Sequence, residues 1–430
     1  MYIKKLFKYV LLYGLVLGIG LLLLVLSTLI PRLSIQKKSE ASAVYLNEQS
    51  LFTPILNGQK STMVDNYADT ISLSIAYSLD EKQPLKSALE TNYYNEPTLN
   101  VNEAYKLSVM EQKKGNTPYT RYWHGSIIFI KILLMFLDIR GIRLLGAIVI
   151  TGLIVGLSWL LYKNHHKILL LSFVIGMVFV GVWVVPFSIE YTSTFIIMMI
   201  FLIAIMLSEE KTIEQLFPAF FLIGSITCFF DFLTTETLTF TVPILFLLCL
   251  SFEKGELTDF KKGCILTLKS GVLWVLGYGI MWLSKWGISS LVLGRNTFIE
   301  AFEQAELRMI GEATGGGVQQ LLGALFRNIA LLFPMQFGKT YRQVFLLFIG
   351  IWFVLSCLWI FYGGKIKKQW FLKLLLLIGL IPYVRYVVLS NHSYLHYFFT
   401  YRAQLVSVIA VSYYFLFCLD KTLTFKFLKH

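Results

Sequence analysis

Residues 9–30, YVLLYGLVLGIGLLLLVLSTLI, are 22 in a row without a charge. At ~1.5 Å per residue, a helix of that length crosses the ~30 Å hydrocarbon core of a bilayer. Lys4, Lys5 and Lys8 stand immediately before it. Positive charge flanking a first span marks the cytoplasmic side. The run is long for the apolar part of a cleaved signal peptide, and the small residues Ala41-Ser42-Ala43 lie too far beyond Ile30 for cleavage. The expectation is an uncleaved signal-anchor helix within 1–30.

Working outward, further apolar runs fall at 143–162, 168–187, 192–208, 217–230, 238–252, 264–284, 343–362, 371–389 and 403–419. With the first they predict an all-α polytopic membrane protein of about ten spans, within a range of nine to eleven. Segment 125–137 is too short to cross and is expected to lie at the interface or dip in; 318–335 is ambiguous. The 430 residues are 56% hydrophobic and only 15% charged, against ~25% for a soluble domain. That composition excludes a soluble dehydrogenase, a nucleic-acid reader and a disordered scaffold. The net charge of +13 gathers in alternate short connections. These are Lys163 and Lys167, Lys211, Lys254 with Lys261 and Lys262, Lys365 with Lys367 and Lys368, and a tail bearing Lys421, Lys426 and Lys429. All come out cytoplasmic if the spans number ten, so both termini are expected inside and the implied partner is a lipid bilayer, not nucleic acid.

The chain then divides into the anchor, a first extracytoplasmic loop with interfacial helices over 31–140, and a multi-helix transmembrane domain over 141–430 that includes an outer loop at 285–341. Segment 31–124 balances ten Lys and Arg against ten Asp and Glu. Its lack of cysteine, with all five cysteines in or beside apolar runs, speaks against a disulfide framework or a thiolate-bound metal. No internal repeat is evident.

The unusual polar residues fall on the outward side of this topology, where ionisable groups at a membrane boundary mark a candidate site. Segment 61–79, STMVDNYADTISLSIAYSL, has helical apolar spacing, so Asp65 and Asp69 share a helix face at i and i+4. Paired carboxylates near a low-dielectric boundary raise one pKa and suit a general base or a metal site. A helix-start cap formed by Thr62 and Asp65 is the plainer alternative, and it leaves Asp69 unexplained. Asp231, flanked by phenylalanines between two spans, needs either a ligand or an arginine partner; Glu190 after Pro186-Phe187-Ser188 is a similar turn residue.

The donors are Arg121 and His124 in Arg121-Tyr122-Trp123-His124, whose rings fit an interfacial belt. With them stand Lys285, Arg295, Arg308 and Arg327 around Gly315-Gly316-Gly317, expected as a mobile external loop. The third set is His392, His396, Tyr401 and Arg402 in the run from Asn391 to Arg402. Arginine suits phosphate, and histidine can donate to a leaving phosphate. A His-x₃-His zinc pair lacks a third ligand nearby. Asn391-His392-Ser393 also matches a glycosylation sequon.

This layout resembles the GT-C superfamily of membrane glycosyltransferases. The likeness rests on the single first span, the acids soon after it, the interfacial stretch behind that loop, and the later outward Arg, His and Tyr. The segments Arg121-Tyr122-Trp123-His124-Gly125, Phe230-Asp231-Phe232-Leu233-Thr234 and Asn391-His392-Ser393-Tyr394 look like those of Gram-positive bacterial membrane proteins. The adjacent acid pair of some members is absent, the acids here standing four apart. The resemblance implies inverting transfer from a polyprenyl-phosphate-linked sugar to a cell-wall polysaccharide or teichoic acid. An acid of the first loop, Asp65 or Asp69, would be the base, and dependence on a divalent cation (Mg or Mn) stays open. Arg402, His392, Lys285 and Arg308 would meet the phosphate. A transporter or flippase of lipid-linked saccharides is the second reading, but it would want charge inside the spans, where Lys269 and Arg385 are the exceptions.

Overall fold

The computed structural model describes residues 2–208, 210–311, 317–333 and 369–422. Chain segments in lipid must satisfy their own backbone hydrogen bonds, and this chain does so with helices. The first, α1 (Tyr2–Thr28), leaves most of its surface to the surroundings.

Between α1 and the next long helix lies a module with its own apolar core. It comprises α2 (Arg32–Asn47), a ribbon of antiparallel β1 (Phe52–Pro54) and β2 (Met63–Asp65), α3 (Asn66–Ser78), α4 (Pro84–Glu90), α5 (Val101–Met110) and α6 (Ser126–Leu133). Ile35, Leu46, Leu73, Tyr105, Ile127 and Ile130 pack together inside it, with Ile142 of the following helix against them. Helix α5 is opened by a capping box, Asn100 with Glu103. The short α6 is no span. Its Lys131 is fully buried and donates to the Ala76 carbonyl at 2.8 Å, near the C-terminal end of α3. A cation there complements the exposed carbonyls of a helix end.

Helix α7 (Ile139–Lys163) starts on an Asp138 cap. It is followed by α8 (Lys167–Phe179), α9 (Ile189–Leu207), α10 (Phe217–Phe230), α11 (Leu238–Glu253), α12 (Phe260–Leu293), α13 (Thr297–Ile310), α14 (Gly317–Ala330), α15 (Gln369–Gly379), α16 (Ile381–Val388), α17 (Ser390–Leu395), α18 (Tyr397–Thr400) and α19 (Leu405–Thr422). Seven stretches of the described residues are long and apolar enough to cross a membrane: Tyr9–Thr28, Ile139–Lys163, Ile189–Leu207, Ile213–Phe230, Phe260–Leu293, Gln369–Val388 and Tyr397–Cys418. This is a helical, multi-pass membrane protein, and the bilayer is its partner.

The ten expected spans are not all reached on length. Run 168–187 is divided, because α8 ends before Gly181, whose φ of +59° leads into a short 3₁₀ turn over Val182–Phe187. Run 238–252 gives the 16-residue α11. Run 343–362 lies outside the described residues. Run 264–284 is longer than expected: α12 continues to Leu293 and stops at Gly294, where φ is +68°. The expected outer loop 285–341 is therefore mainly helix, from the end of α12 through α13 and α14; residues 312–316 and 334–341 lie outside the description.

Helices α10 and α12 cross backbone against backbone. Ser225 Oγ donates to the Gly277 carbonyl at 3.1 Å, and a Cβ on Gly277 or Gly224 would run into the carbonyl oxygen of Phe221 or Trp274. Small residues permit such close approach in membrane helices.

Candidate functional site

Residues Lys60–Thr62 form a 3₁₀ turn and Met63–Asp65 a strand, so the expected helix over 61–79 begins only at Asn66. Thr62 is no cap; its hydroxyl donates to the Gln59 carbonyl at 2.8 Å. Asp65 is itself the cap of α3, its Oδ1 accepting from the Ala68 amide at 2.9 Å. Its backbone N–H donates to Ser188 Oγ at 2.8 Å, which ties this cap to the start of α9. Burial pushes the Asp65 carboxyl up to about 7. Asp69, one turn on, has a different place. Its Oδ2 accepts from Arg143 Nη2 and Nε at 2.8 and 3.1 Å, its Oδ1 accepts from the Ile189 amide at 2.8 Å, and nothing of it is exposed. Both oxygens are committed, so the two aspartates do not present a shared face to substrate.

The remaining acids divide in the same way. Asp231 accepts from five donors: the Leu233 and Thr234 amides at 2.7 and 3.2 Å, the Thr194 and Thr234 hydroxyls at 3.2 and 2.8 Å, and the Tyr278 hydroxyl at 3.3 Å. It organises the turn between α10 and α11, and the arginine or ligand expected for it is not needed. Glu190, in the first turn of α9, is 9% exposed, and its carboxylate makes no hydrogen bond or ion pair among the described residues. It lies within electrostatic reach of Asp65, Asp231, Asp69 and Arg308.

Several buried polar atoms lack partners. Arg308 Nε, His392 Nδ1, His396 Nδ1, Arg402 Nε and the hydroxyls of Tyr122 and Tyr191 are buried with no hydrogen-bond partner among the described residues. Such atoms are rare in finished cores and mark where a ligand or water completes the structure. The His392 and His396 ring centroids lie 4.7 Å apart, their planes tilted by 41°, on α17 and at its C-terminal end. Burial holds His392 well below the usual imidazole range and pushes His396 down to about 4, with Arg308 and Arg385 adding to it. Both rings are neutral at pH 7 and act as N–H donors or acceptors rather than as cations. The guanidinium of Arg308 lies 5.6 Å over the Tyr122 ring and donates to the Gln304 carbonyl at 3.3 Å.

Other expected site residues support the walls. Tyr122 and Trp123 are buried, not belt residues at a membrane surface: Trp123 Nε1 donates to the Met281 carbonyl at 2.8 Å. Arg121 stacks 4.1 Å over Tyr119 and meets Glu300 of α13 at 3.6 Å. His124, at φ +56°, faces the Tyr119 carbonyl at 3.1 Å and is held well below the usual range by burial, then by Lys285. Lys285 is fully buried and donates to the Leu89 carbonyl at 2.7 Å, so it does not reach out for a head group. Arg295 is partly exposed and pairs with Glu90 at 3.7 Å. The Tyr401 hydroxyl donates to the Ser61 and Val180 carbonyls at 3.1 and 2.9 Å, and Arg402 Nη2 to the Ser61 carbonyl at 3.0 Å. Arg327 stacks 3.7 Å over Tyr394. Asn391 is buried and donates to the Leu307 carbonyl at 2.7 Å, so the sequon is closed to modification. The glycines at 315 and 316 lie outside the described residues; Gly317 opens α14.

One pair emerged only in three dimensions. Arg385 of α16 meets Glu236 through Nε at 2.6 Å and Nη2 at 3.1 Å, and donates to the Leu233 carbonyl at 2.7 Å. This buried fork ties the α10–α11 turn to α16, just ahead of the helix carrying His392. An arginine inside an apolar run signals such a partner, although it does not say which acid. Among the described residues, no group of three or more His, Cys, Asp or Glu is arranged to hold a metal ion. The expected option of a divalent cation therefore has no ligand set there.

Comparisons with known proteins place nothing beside this chain: no family model, no curated protein and no solved structure matches it.

Proposed function

We propose that this protein is an extracytoplasmic glycosyltransferase that moves a sugar from a polyprenyl-phosphate-linked donor to a cell-wall polysaccharide or teichoic acid. One observation carries the reading: two carboxyl groups with spare lone pairs, Asp65 and Glu190, lie within electrostatic reach of each other, and Arg308, whose Nε has no partner among the described residues, lies within reach of both Glu190 and the His392–His396 pair. Acid at one pole and anion-binding donors at the other fit a sugar joined to a phosphate. The acceptor hydroxyl oxygen attacks the anomeric carbon while its proton passes to the Asp65 carboxylate. The bond from that carbon to the phosphate oxygen breaks, and its electron pair leaves with the phosphate. A single displacement of this kind inverts the anomeric centre. Arg308, His392 and His396 meet the developing phosphate charge, where fixed donors in a buried site act most strongly. No step is routed through a metal, for which the described residues offer no ligand set.

The test uses the purified full chain with labelled sugars on polyprenyl phosphates and a wall-polymer acceptor, beside Asp65→Asn. Transfer by the wild type, lost in a variant that folds and inserts, supports the reading. A donor that is bound and never consumed favours transport of lipid-linked saccharide instead.

A further inference from the structure

Of the acids gathered at this end of the bundle, Asp69, Asp231 and Glu236 have their oxygens engaged by Arg143, by five turn and wall donors, and by Arg385. Asp65 spends one oxygen on its helix cap. Glu190 alone among these acids, with over nine-tenths of its surface buried, has no bonded partner among the described residues. A carboxyl in that condition takes up a proton or meets the hydrogen-bonding groups of a ligand. Helix α9 fixes its position: Ser188 accepts from the Asp65 amide and Ile189 donates to Asp69, so the first turn bearing Glu190 cannot swing away to solvent.

We propose that Glu190 reads the saccharide: its free carboxyl group exchanges hydrogen bonds with neighbouring hydroxyls of a neutral hexose whose phosphate lies against Arg308, His392 and His396. Hydroxyls both donate and accept, so they complete this carboxyl without adding charge beside Asp65, Asp69 and Asp231. A uronic acid would bring a further negative charge into a buried cluster that already holds Asp65, Asp69 and Asp231, so like-charge repulsion rejects it. The inference rests on the transferase reading for its phosphate-linked carrier, and it concerns binding rather than turnover.

The full chain in detergent micelles is titrated with farnesyl phosphate, farnesyl-phosphoryl glucose and farnesyl-phosphoryl glucuronate. The wild type should bind the glucosyl form about tenfold more tightly than the other two. In Glu190→Gln and Glu190→Ala that preference should shrink to within about twofold, with affinity for farnesyl phosphate itself unchanged. The inference is overturned if the wild type does not discriminate, if the variants discriminate as it does, or if they also lose farnesyl phosphate. Discrimination that depends on Glu190 without any transfer defeats the transferase reading and leaves this one standing. Transfer with discrimination intact in the variants does the reverse.

Discussion

Arg143 grips a single carboxylate oxygen of Asp69 from two nitrogens, at 2.8 and 3.1 Å, where the aspartate is wholly buried and the arginine 7% exposed. The other oxygen of Asp69 receives the first amide of α9. One side chain thus joins α3 to both α7 and α9.

Removing that carboxylate leaves a buried guanidinium unpaired, which costs about 3–5 kcal/mol. Asp69→Asn should therefore lower thermal stability in detergent strongly. Asp65→Asn, whose Oδ1 still accepts the cap bond from the Ala68 amide and which has no paired cation to strand, should lower it little. Thermal unfolding of both variants, followed by intrinsic fluorescence, checks the order; equal losses would contradict the separation of roles.

The Asp65 carboxyl, pushed up to about 7 by burial, gives a pH dependence with a definite sign. A base must be ionised, so kcat/KM should fall tenfold per pH unit below about 7. Stability moves the other way. The folded state holds this proton more tightly than the unfolded chain does, so the contribution is complete at acid pH and is lost as pH rises through about 7. Asp65→Asn should flatten the stability profile in that window, measured by unfolding across pH 5 to 8.

Arg308 has an unpartnered Nε and no ion pair among the described residues. Arg308→Gln should weaken farnesyl phosphate binding by roughly tenfold, with little change in stability. The paired Arg385→Gln should instead destabilise, because it leaves Glu236 buried without its fork. Calorimetric titration beside thermal unfolding separates the two.

At the crossing of α10 and α12 the Phe221 carbonyl occupies the place of a Gly277 side chain. Gly277→Leu should cost about 3 kcal/mol or prevent insertion, whereas Gly279→Leu, where the surroundings are open, should be tolerated. Yield and thermal stability of the two variants compare them directly.

The membrane class was legible because apolar runs of about 20 residues have few other uses. Finer boundaries were not. Gly181 and Pro186 break a run whose composition stays apolar throughout, and Lys285 hides inside a helix that composition alone ends one residue earlier. At the site, the residue types were visible but their commitments were not. Asp69 and Asp65 look alike at i and i+4; only the arrival of Arg143, 74 positions later, separates them. Glu190 reads in the sequence only as a turn residue, since an absence of partners is a property of the folded chain. Tyr122 and Trp123 read as belt aromatics because burial against α12 depends on contacts more than a hundred residues away.

The bond from Arg402 to the Ser61 carbonyl spans 341 positions. At roughly 5–20 residues per second of synthesis, the first module waits about 20–70 s for the strap that fastens the turn just ahead of Asp65. Through that interval the nascent chain carries the acid without the wall that encloses it. A truncated product lacking the last span would release the module into the membrane in this unfinished state, a ready target for quality-control proteolysis.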